Sequence, residues 1–467
     1  MDLGILNGRI YLNGEFINAN LYCKAGKVDT ITNSFLPCEK EYDAAGKMVL
    51  PGFIDPHVHF HLSVGANTSK DDFYQGSIKG ALGGVTTYID FLDPVKNSQE
   101  LKAAFEKRLE LASVSMTDYS FHTTIANPTE EAEKLLKAGR ELGMPSLKLF
   151  TTYSNSDRRT YDGYIDRLLY YSREMESRIV IHAENDDLIS TAKDILVKDH
   201  EASRPVISER SEVIKLAEMA KERDGLLYIV HISAGSTVEA LVKNYSSELK
   251  KGTILMESCP HYFLKNSACY SQEDGYRYTM TPPLRNEAER SLLRKYVNEI
   301  NVIGTDHCPF DLDLKKALYT SQIPMGIGGI EYSFSNMYTE FGSSIISKYT
   351  EAPAKAYGLY PHKGTLLPGA DADIVIYDET TVEQISEEES IYQGRSLKGK
   401  VEYVFLRGSL IVEEGKFLGD QITNEKNSKG QFDKGQIHKE QSPKGQFPKG
   451  QFPKGNGIFR KRELKLS

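Results

Sequence analysis

Residues 48–59 read MVLPGFIDPHVH, and the pattern of apolar and polar residues along the chain changes at this stretch. The apolar run over residues 48–54 predicts a buried strand, and polar residues follow it directly. Residues two apart on a strand face the same side, so His57 and His59 point together from the end of this strand. Two imidazoles one pleat apart suit two coordination positions on one metal ion. Two hydrogen-bonded structural histidines would give the same pattern, so this stretch alone leaves metal binding open.

Seven further short apolar runs follow, and most gaps between them show the periodicity of amphipathic helices. The eight runs cover residues 48–54, 85–91, 119–125, 146–151, 178–182, 226–231, 253–257 and 301–305. Helical patterns lie between them, over residues 97–112, 129–142, 211–223 and 236–250. Eight strands alternating with helices predict an α/β protein with a (β/α)8 TIM barrel. An open doubly wound sheet has a similar pattern with fewer strands, but no GxGxxG follows the first run.

The two ends of the chain differ from the barrel region in their patterning. Residues 1–50 show the apolar–polar alternation of half-buried antiparallel sheet, and residues 363–377 and 401–412 return to it. We therefore expect one small β-sandwich domain built from residues 1–50 and 363–420, with the TIM barrel (residues 51–362) inserted between its two parts. Residues 421–467 form a separate low-complexity tail.

Composition excludes several classes of protein. The chain has 467 residues, of which 40% are hydrophobic and 26% charged, so it is neither disordered throughout nor fibrous. Five scattered cysteines without a CxxC pair indicate free thiols in a reducing compartment. No signal peptide and no apolar stretch approaching about 18 residues is visible, so we expect a soluble, cytoplasmic protein with no membrane partner.

The tail is basic and repetitive. It carries eleven Lys or Arg and four Asp or Glu, a net charge of +7 against −8 for the whole chain. Lys-Gly-Gln recurs in it, with Phe-Pro between the later copies, and such a segment buries too little surface to fold alone. Its evenly spaced lysines lack an aromatic-rich folded platform, so we expect no nucleic-acid partner.

Other strand ends carry further candidate ligands. The fifth run ends in His182, the sixth in His231, and the eighth is followed by Asp306 and His307. Catalytic groups of a TIM barrel come from the carboxyl ends of several different strands. Histidines and a carboxylate at four such ends, in a chain with only 11 histidines, predict a metal centre.

Lys148 lies inside the apolar fourth run, where two interpretations are possible. Its stem could pack while its ammonium reaches water. Alternatively, a desolvated lysine has a lowered pKa, and its neutral amine can react with CO₂ to give an anionic carbamate that bridges two metal ions. The run itself does not separate these interpretations.

Taken in order, the motifs resemble those of the amidohydrolase superfamily and its cyclic amidohydrolases: dihydropyrimidinase (hydantoinase), allantoinase and dihydroorotase. The stretches that carry this resemblance are PGFIDPHVH, GGVTTYIDF, SLKLFTTY, IHAEN, SRP, VHISAGS, MTPPLR, GTDHCPF and GADADIVIYD, spread from about residue 3 to 416. Such a series, in order and with barrel spacing, is highly specific.

The resemblance implies a binuclear centre of two divalent ions, expected to be Zn²⁺. It implies that His57 and His59 bind the more buried ion together with Asp306, and that His182 and His231 bind the more exposed ion. N6-carboxylated Lys148 is then the bridge. By the same match His61, His122, His261 and His307 have no ligand role.

The resemblance also implies how the reaction proceeds. Asp306 is expected to take a proton from the attacking water and pass it to the departing ring nitrogen. Tyr153, five residues after Lys148 in a KLF-x-x-Y segment, is expected to donate to the developing oxyanion, although it could be one surface tyrosine among 27. Thr281 matches a position whose backbone holds the amide edge of the substrate.

The expected activity is hydrolysis of the cyclic amide bond of hydantoins or 5,6-dihydropyrimidines to N-carbamoyl amino acids. Related dihydroorotases carry an arginine where this chain has His61, and hydantoinases carry an asparagine where it has Met325. An allantoinase or dihydroorotase-like enzyme is the alternative, and a non-catalytic relative is disfavoured because all six ligand positions are kept.

The end of the tail, residues 454–462, resembles a Gly-Lys-Gly…Lys-Arg segment that helps subunits of relatives associate. We therefore expect a homotetramer. The repeats over residues 425–453 are expected to be mobile and dispensable for turnover.

Overall fold

The structure is a computed structural model, and it describes residues 1–418 and 455–466. Its strands are β1 (Leu3–Leu12), β2 (Glu15–Lys24), β3 (Lys27–Thr32), β4 (Lys40–Asp43), β5 (Met48–Pro51), β6 (Phe53–Val58), β7 (Ser63–Val64), β8 (Asn67–Thr68), β9 (Val85–Phe91), β10 (Asp118–Thr124), β11 (Ser146–Phe150), β12 (Arg178–His182), β13 (Leu227–Ile229), β14 (Ile254–Ser258), β15 (Val302–Ile303), β16 (Ile374–Gln384), β17 (Ser396–Leu406), β18 (Ser409–Glu413) and β19 (Lys416–Phe417). The expectation for residues 425–453 lies outside the described residues.

The α-helices fill most of the connections between these strands. They are α1 (Phe73–Leu82), α2 (Ser98–Ala112), α3 (Ala132–Glu141), α4 (Asp162–Ser172), α5 (His200–Ser203), α6 (Val206–Arg223), α7 (Gly235–Asn244), α8 (Ser246–Lys250), α9 (Pro260–Leu264), α10 (Glu287–Lys295), α11 (Leu312–Lys315), α12 (Ser333–Phe341), α13 (Ile346–Tyr349) and α14 (Glu351–Ala356). None of the helices in residues 1–418 and 455–466 is long and apolar enough to cross a membrane.

Eight parallel strands form the barrel, in the order β6, β9, β10, β11, β12, β13, β14 and β15. The last strand returns to the first, because His307 just beyond β15 bridges Val58 of β6. The amide of His59 also donates to the carbonyl of His307 at 2.9 Å. All carboxyl ends therefore meet at one mouth, which is where this architecture places its functional groups.

The remaining strands form a separate β-sheet domain drawn from both ends of the chain. Its nine strands run β19-β18-β17-β16-β5-β1-β2-β3, with β4 paired to β1. Strand β16 joins the two ends of the chain, since it pairs with β5 on one side and β17 on the other. The predicted α/β TIM barrel with a separate small β domain is therefore confirmed.

The first apolar run serves both domains. Residues 48–51 form β5 of the nine-stranded sheet, and the first barrel strand begins only at Phe53. Gly52 stands at the junction, where a Cβ would lie 2.2 Å from Thr86 Oγ1. The absence of a side chain lets the chain pass this close to β9 as it enters the barrel.

Candidate active site

The six predicted metal ligands stand at the mouth of the barrel, on five different strands. His57 lies in β6 and His59 just past its end; Lys148 is in β11; His182 ends β12; His231 follows β13; Asp306 follows β15. The short strands with their polar ends bring these residues together, since parallel strands place their carboxyl ends at one edge of the barrel.

His57, His59 and Asp306 form the first group. Asp306 Oδ1 lies 3.2 Å from His57 Nε2 and 3.0 Å from His59 Nε2. One ligand atom from each of the three residues falls within 4.8 Å of the others, which is the spacing of a shared metal ion. The buried Nε2 of His57 nevertheless has no hydrogen-bond partner among the described residues.

His182 and His231 form the second group, beside the first. His182 Nδ1 lies 3.1 Å from His231 Nε2, and their ring centroids are 4.6 Å apart. The His231 ring also lies 5.4 Å from the ring of His57. Two imidazole nitrogens that face each other at this distance can share a proton or bind one metal ion between them.

Lys148 lies in an apolar part of the mouth and is only 2% exposed. Its Nζ sits 5.1 Å from the ring of Phe91 and 5.3 Å from the ring of Phe150. Burial lowers the pKa of Lys148 to about 8, against the opposing effect of the Asp306 carboxylate. A neutral amine is therefore accessible near physiological pH.

Two carboxylates that the sequence did not single out orient the histidines. Glu257 Oε1 accepts from His57 Nδ1 at 2.6 Å, and Glu257 Oε2 accepts from the Tyr228 hydroxyl at 2.8 Å. Because a carboxylate only accepts, Nδ1 of His57 carries a proton, which leaves Nε2 as the nitrogen that a metal ion could bind. Such carboxylate–histidine pairs are typical of metal sites.

Glu184 plays the same part for His182. It accepts from His182 Nε2 at 2.7 Å, which leaves the lone pair of Nδ1 facing His231. Arg204 holds Glu184 in place, with its Nε donating at 3.1 Å. Glu184 follows His182 by two residues, and Glu257 ends the seventh apolar run. Their position at strand ends is therefore the sequence signal that could have identified both carboxylates.

The electrostatics of the mouth suit a cation. Burial alone would lower the pKa of His57, yet Glu257 and Asp306 raise it to about 9. The pKa of Asp306 is held well below its usual range by His57 and His59 although burial opposes this. Burial lowers the pKa of both His182 and His231, which keeps them neutral as ligands. The residues present therefore fit a metal centre.

Three predicted site residues have left-handed backbone conformations. The φ angles are 40° at His231, 52° at Asp306 and 70° at Tyr153. A non-glycine residue in this region carries a strain of about 1–3 kcal/mol and persists where its surroundings over-determine it. Such strain concentrates at functional sites, and here it aims the side chains into the mouth.

Tyr153 and Thr281 meet beside the second histidine pair. The Tyr153 hydroxyl and Thr281 Oγ1 are 2.7 Å apart, and the Tyr153 ring lies 5.3 Å from that of His182. Burial raises the pKa of Tyr153, which keeps the hydroxyl protonated and able to donate. Tyr153 is thus a half-buried residue at the mouth and not an exposed surface tyrosine.

The four histidines without an expected ligand role lie elsewhere. His61 is exposed, and His307 is held by Asp71 Oδ2 at 2.8 Å. His122 contacts Ser146 Oγ and the Pro56 carbonyl, whereas His261 is buried next to Tyr262. Half-buried Met325 precedes Gly326, whose amide donates to the Thr279 carbonyl at 3.1 Å, so this turn borders the segment that carries Thr281.

A (β/α)8 barrel with four histidines, an aspartate and a buried lysine at its mouth is the design of a metal-dependent hydrolase. The chain belongs to the amidohydrolase family and its hydantoinase group: the family profile matches residues 48–411, and hydantoinases match across most of the chain. The resemblance noted in the sequence is confirmed.

Individual relatives share this length and fold. A D-hydantoinase from Geobacillus stearothermophilus is 30% identical over 445 residues, covering 89% of this chain and 94% of the relative. A D-phenylhydantoinase from Escherichia coli is 31% identical over 461 residues, covering 90% and 96%. A solved D-hydantoinase structure superposes with a TM-score of 0.83 at 28% identity, and a Thermus D-hydantoinase (dihydropyrimidinase) with 0.82 at 29%; each covers 89% of this chain and 96% of its own.

Proposed function

We propose that this enzyme hydrolyses the ring amide bond of hydantoins or 5,6-dihydropyrimidines and releases N-carbamoyl amino acids. The observation that carries the proposal is the barrel mouth, where the two histidine groups, Asp306 and buried Lys148 lie close together. The chain also belongs to the amidohydrolase family and its hydantoinase group. The substrates named by the relatives, hydantoin and phenylhydantoin, are neutral cyclic ureides.

Two divalent metal ions, expected to be Zn²⁺, are proposed at this mouth. His57, His59 and Asp306 would hold the more buried ion, and His182 and His231 the more exposed one. Imidazole and carboxylate donors suit Zn²⁺, and the lone pairs of His57 Nε2 and His182 Nδ1 are fixed by Glu257 and Glu184. When bound, the metal pair supplies a water of lowered pKa and a Lewis acid for the scissile carbonyl.

Lys148 is proposed to be N6-carboxylated and to bridge the two ions. The neutral Nζ forms a bond to the carbon of CO₂ and releases one proton, which leaves an anionic carbamate with two oxygen donors. Burial and the lowered pKa of about 8 supply the neutral amine this step needs. An ammonium at the same place would repel two cations.

The remaining steps are assigned to groups of this chain. Asp306 accepts the proton of the attacking water and returns it to the departing ring nitrogen as the C–N bond breaks. The protonated Tyr153 hydroxyl donates to the oxyanion that forms at the ring carbonyl. The backbone of Thr281, beside Tyr153, holds the amide edge of the ring.

The deciding experiment measures hydrolysis of hydantoin, dihydrouracil, allantoin and dihydroorotate by protein of known metal content. We expect hydantoin or dihydrouracil to give the highest kcat/KM, with an N-carbamoyl amino acid as product. Preference for allantoin or dihydroorotate would replace the proposal by the corresponding alternative. A metal-loaded protein that hydrolyses none of the four substrates would indicate a non-catalytic relative.

We also propose a homotetramer, on the likeness of residues 454–462 to the terminal segment of relatives. Sedimentation equilibrium should give about four times the 52.4 kDa chain mass, and a concentration-independent monomer would contradict this.

A further inference from the structure

The described end of the chain, residues 455–466, packs into the base of the barrel. Strand β10 pairs with five residues of β9, but with β11 only at Thr123 and Thr124, so these two strands diverge towards their amino-terminal ends. The terminal segment enters this gap. The amide of Tyr119 donates to the Ile458 carbonyl at 3.1 Å, and the amide of Arg462 donates to the Gly143 carbonyl at 3.0 Å.

The fit of this segment to the barrel leaves no room for side chains at two positions. A Cβ at Gly455 would lie 2.1 Å from the Ser115 carbonyl oxygen, and one at Gly457 would lie 1.9 Å from that of Thr117. Glycine permits this close approach of the two backbones. The segment therefore packs backbone against backbone on the barrel wall.

Arg462 is the residue that reaches the barrel interior, and it is only 1% exposed. Its Nε donates to Ser120 Oγ at 2.8 Å, and its Nη2 donates to Ser146 Oγ at 2.8 Å and to the Phe121 carbonyl. Its hydrogen bonds within residues 1–418 go to hydroxyls and carbonyls and not to a carboxylate. A buried guanidinium without a carboxylate partner is costly, so the position of Arg462 depends on these hydrogen bonds.

A directed chain of hydrogen bonds runs from Arg462 towards the mouth. Ser146 Oγ lies 2.7 Å from His122 Nδ1, and His122 Nε2 lies 3.0 Å from the Pro56 carbonyl oxygen. A carbonyl only accepts, so Nε2 of neutral His122 carries its proton and Nδ1 accepts from the Ser146 hydroxyl. Arg462 only donates, so it supplies the proton that the Ser146 oxygen accepts.

Both ends of this chain touch strands that carry proposed metal ligands. Pro56 immediately precedes His57 in β6, and Ser146 lies two residues before Lys148 on the same face of β11. The His122 ring also stacks on Phe91 at 4.6 Å, and Phe91 packs 4.8 Å from the ring of His57. The orientation of His122 is thus coupled to the positions of both strands.

We infer that Arg462 is a positioning residue for the metal centre, which it acts on through Ser146, His122 and the Pro56 carbonyl. This inference rests on the proposed function, since it concerns the ligands assigned there. The terminal segment then supports the site from the opposite end of the barrel.

The test compares Arg462→Met with two further variants. Lys461→Met is the control, since it also replaces a basic residue by Met, but at the exposed neighbouring position. Ser146→Ala removes the hydroxyl that links Arg462 to His122. Zn²⁺ affinity is measured by equilibrium dialysis, and ligand geometry by the visible absorption of Co²⁺-loaded protein. We expect Arg462→Met and Ser146→Ala each to weaken Zn²⁺ binding about tenfold and to shift the Co²⁺ bands, with Lys461→Met unchanged. In the double variant the loss should not exceed the larger single loss, because both changes break one chain.

An Arg462→Met variant of lower Tm but unchanged Zn²⁺ affinity and Co²⁺ spectrum would overturn the inference, as would additive losses in the double variant. If Arg462→Met does not fold, Ser146→Ala decides alone, and unaltered metal binding by it refutes the chain. Failure of the wild-type protein to bind two metal ions would refute the proposed function, which separates the two results.

Discussion

Within residues 1–418 and 455–466, two clusters could hold a metal ion by spacing alone, one at each end of the barrel. His57, His59 and Asp306 form the mouth cluster, and Asp118, Asp371 and Asp373 form the base cluster; in each, the potential ligand atoms lie within 4.8 Å. The clusters differ in whether protein cations already satisfy them.

At the base, Lys363 neutralises the carboxylates. Its Nζ lies 2.6 Å from Asp118 and 3.1 Å from Asp371, and it also contacts Asp373. Arg460 adds a 2.7 Å contact to Asp118, and Arg407 pairs with the same carboxylate. These ion pairs join the barrel, the β-sheet domain and the terminal segment, so the base cluster is a structural network.

At the mouth, ring nitrogens of His57 and His59 face Asp306, those of His182 and His231 face each other, and buried Lys148 lies in the same mouth. Carboxylation of that lysine would convert it from a repelling charge into a ligand. We therefore propose a metal site at the mouth and not at the base, because protein cations already pair with the base carboxylates. Four experiments test this distinction.

The largest effect is expected for Lys148→Ala. Without the proposed bridge the protein should lose its metal and its activity together, with kcat/KM reduced by more than about 10⁴-fold because the acceleration depends on the centre. Metal analysis and turnover are measured on the same sample, and short carboxylic acids should restore part of both. An unmodified Lys148 in active, metal-loaded enzyme, seen by intact mass, would contradict the carbamate.

The base cluster is tested by Lys363→Met. Removing this buried cation leaves three carboxylates without their shared partner, so the free energy of unfolding should fall by about 3–5 kcal/mol. Metal content of the folded variant should be unchanged. Lys27→Met is the matched control, because Lys27 pairs with Asp371 but its side chain is 45% exposed, and such pairs contribute little. Equal urea midpoints for the two variants would disprove the assignment.

Tyr153→Phe separates a group that acts on the substrate from those that hold metal. Loss of an oxyanion donor is expected to lower kcat by about 10²–10³-fold, while metal content stays that of the wild type. Tyr161→Phe, at a tyrosine 61% exposed, should leave kcat unchanged. A Tyr153→Phe variant that loses metal would place Tyr153 among the supports of the centre.

Local sequence was sufficient for the barrel and for the placement of the six ligand candidates. The carboxyl ends of parallel strands must share one edge, so polar residues ending successive apolar runs could be assigned to one mouth. The division of the run over residues 48–54 at Gly52 was not predictable, because it depends on the close approach of Thr86.

Contacts between distant parts of the chain were also beyond sequence patterning. Glu257 orients His57 from 200 positions away, and Arg462 reaches Ser146 across 316 positions. Nothing in the periodicity around Arg462 marks it as buried, since it lies in a lysine-rich, polar segment. Arg462 is buried because it enters the gap between β10 and β11, and that gap is a feature of the folded barrel.

The last prediction concerns the charge of the substrate. A free carboxylate, as in dihydroorotate, requires a fixed cation in a site that excludes water, because an unpaired buried charge costs several kcal/mol. The base cluster shows how this chain builds such a partner, with Arg407 and Arg460 on one aspartate. The mouth differs: Arg204, which lies over the Tyr153 ring, is already paired with Glu184, and position 61 holds an exposed histidine.

Dihydroorotate should therefore react at least about two orders of magnitude more slowly than dihydrouracil, the equivalent of roughly 3 kcal/mol of charge-assisted binding in the transition state. The measurement is kcat/KM for both substrates on protein of the same metal content. His61→Arg sharpens it, because a planar, permanently charged guanidinium should narrow the ratio by speeding dihydroorotate alone. Equal kcat/KM values in the wild type would show that another residue already supplies the cation, and that the contrast between mouth and base does not extend to substrate charge.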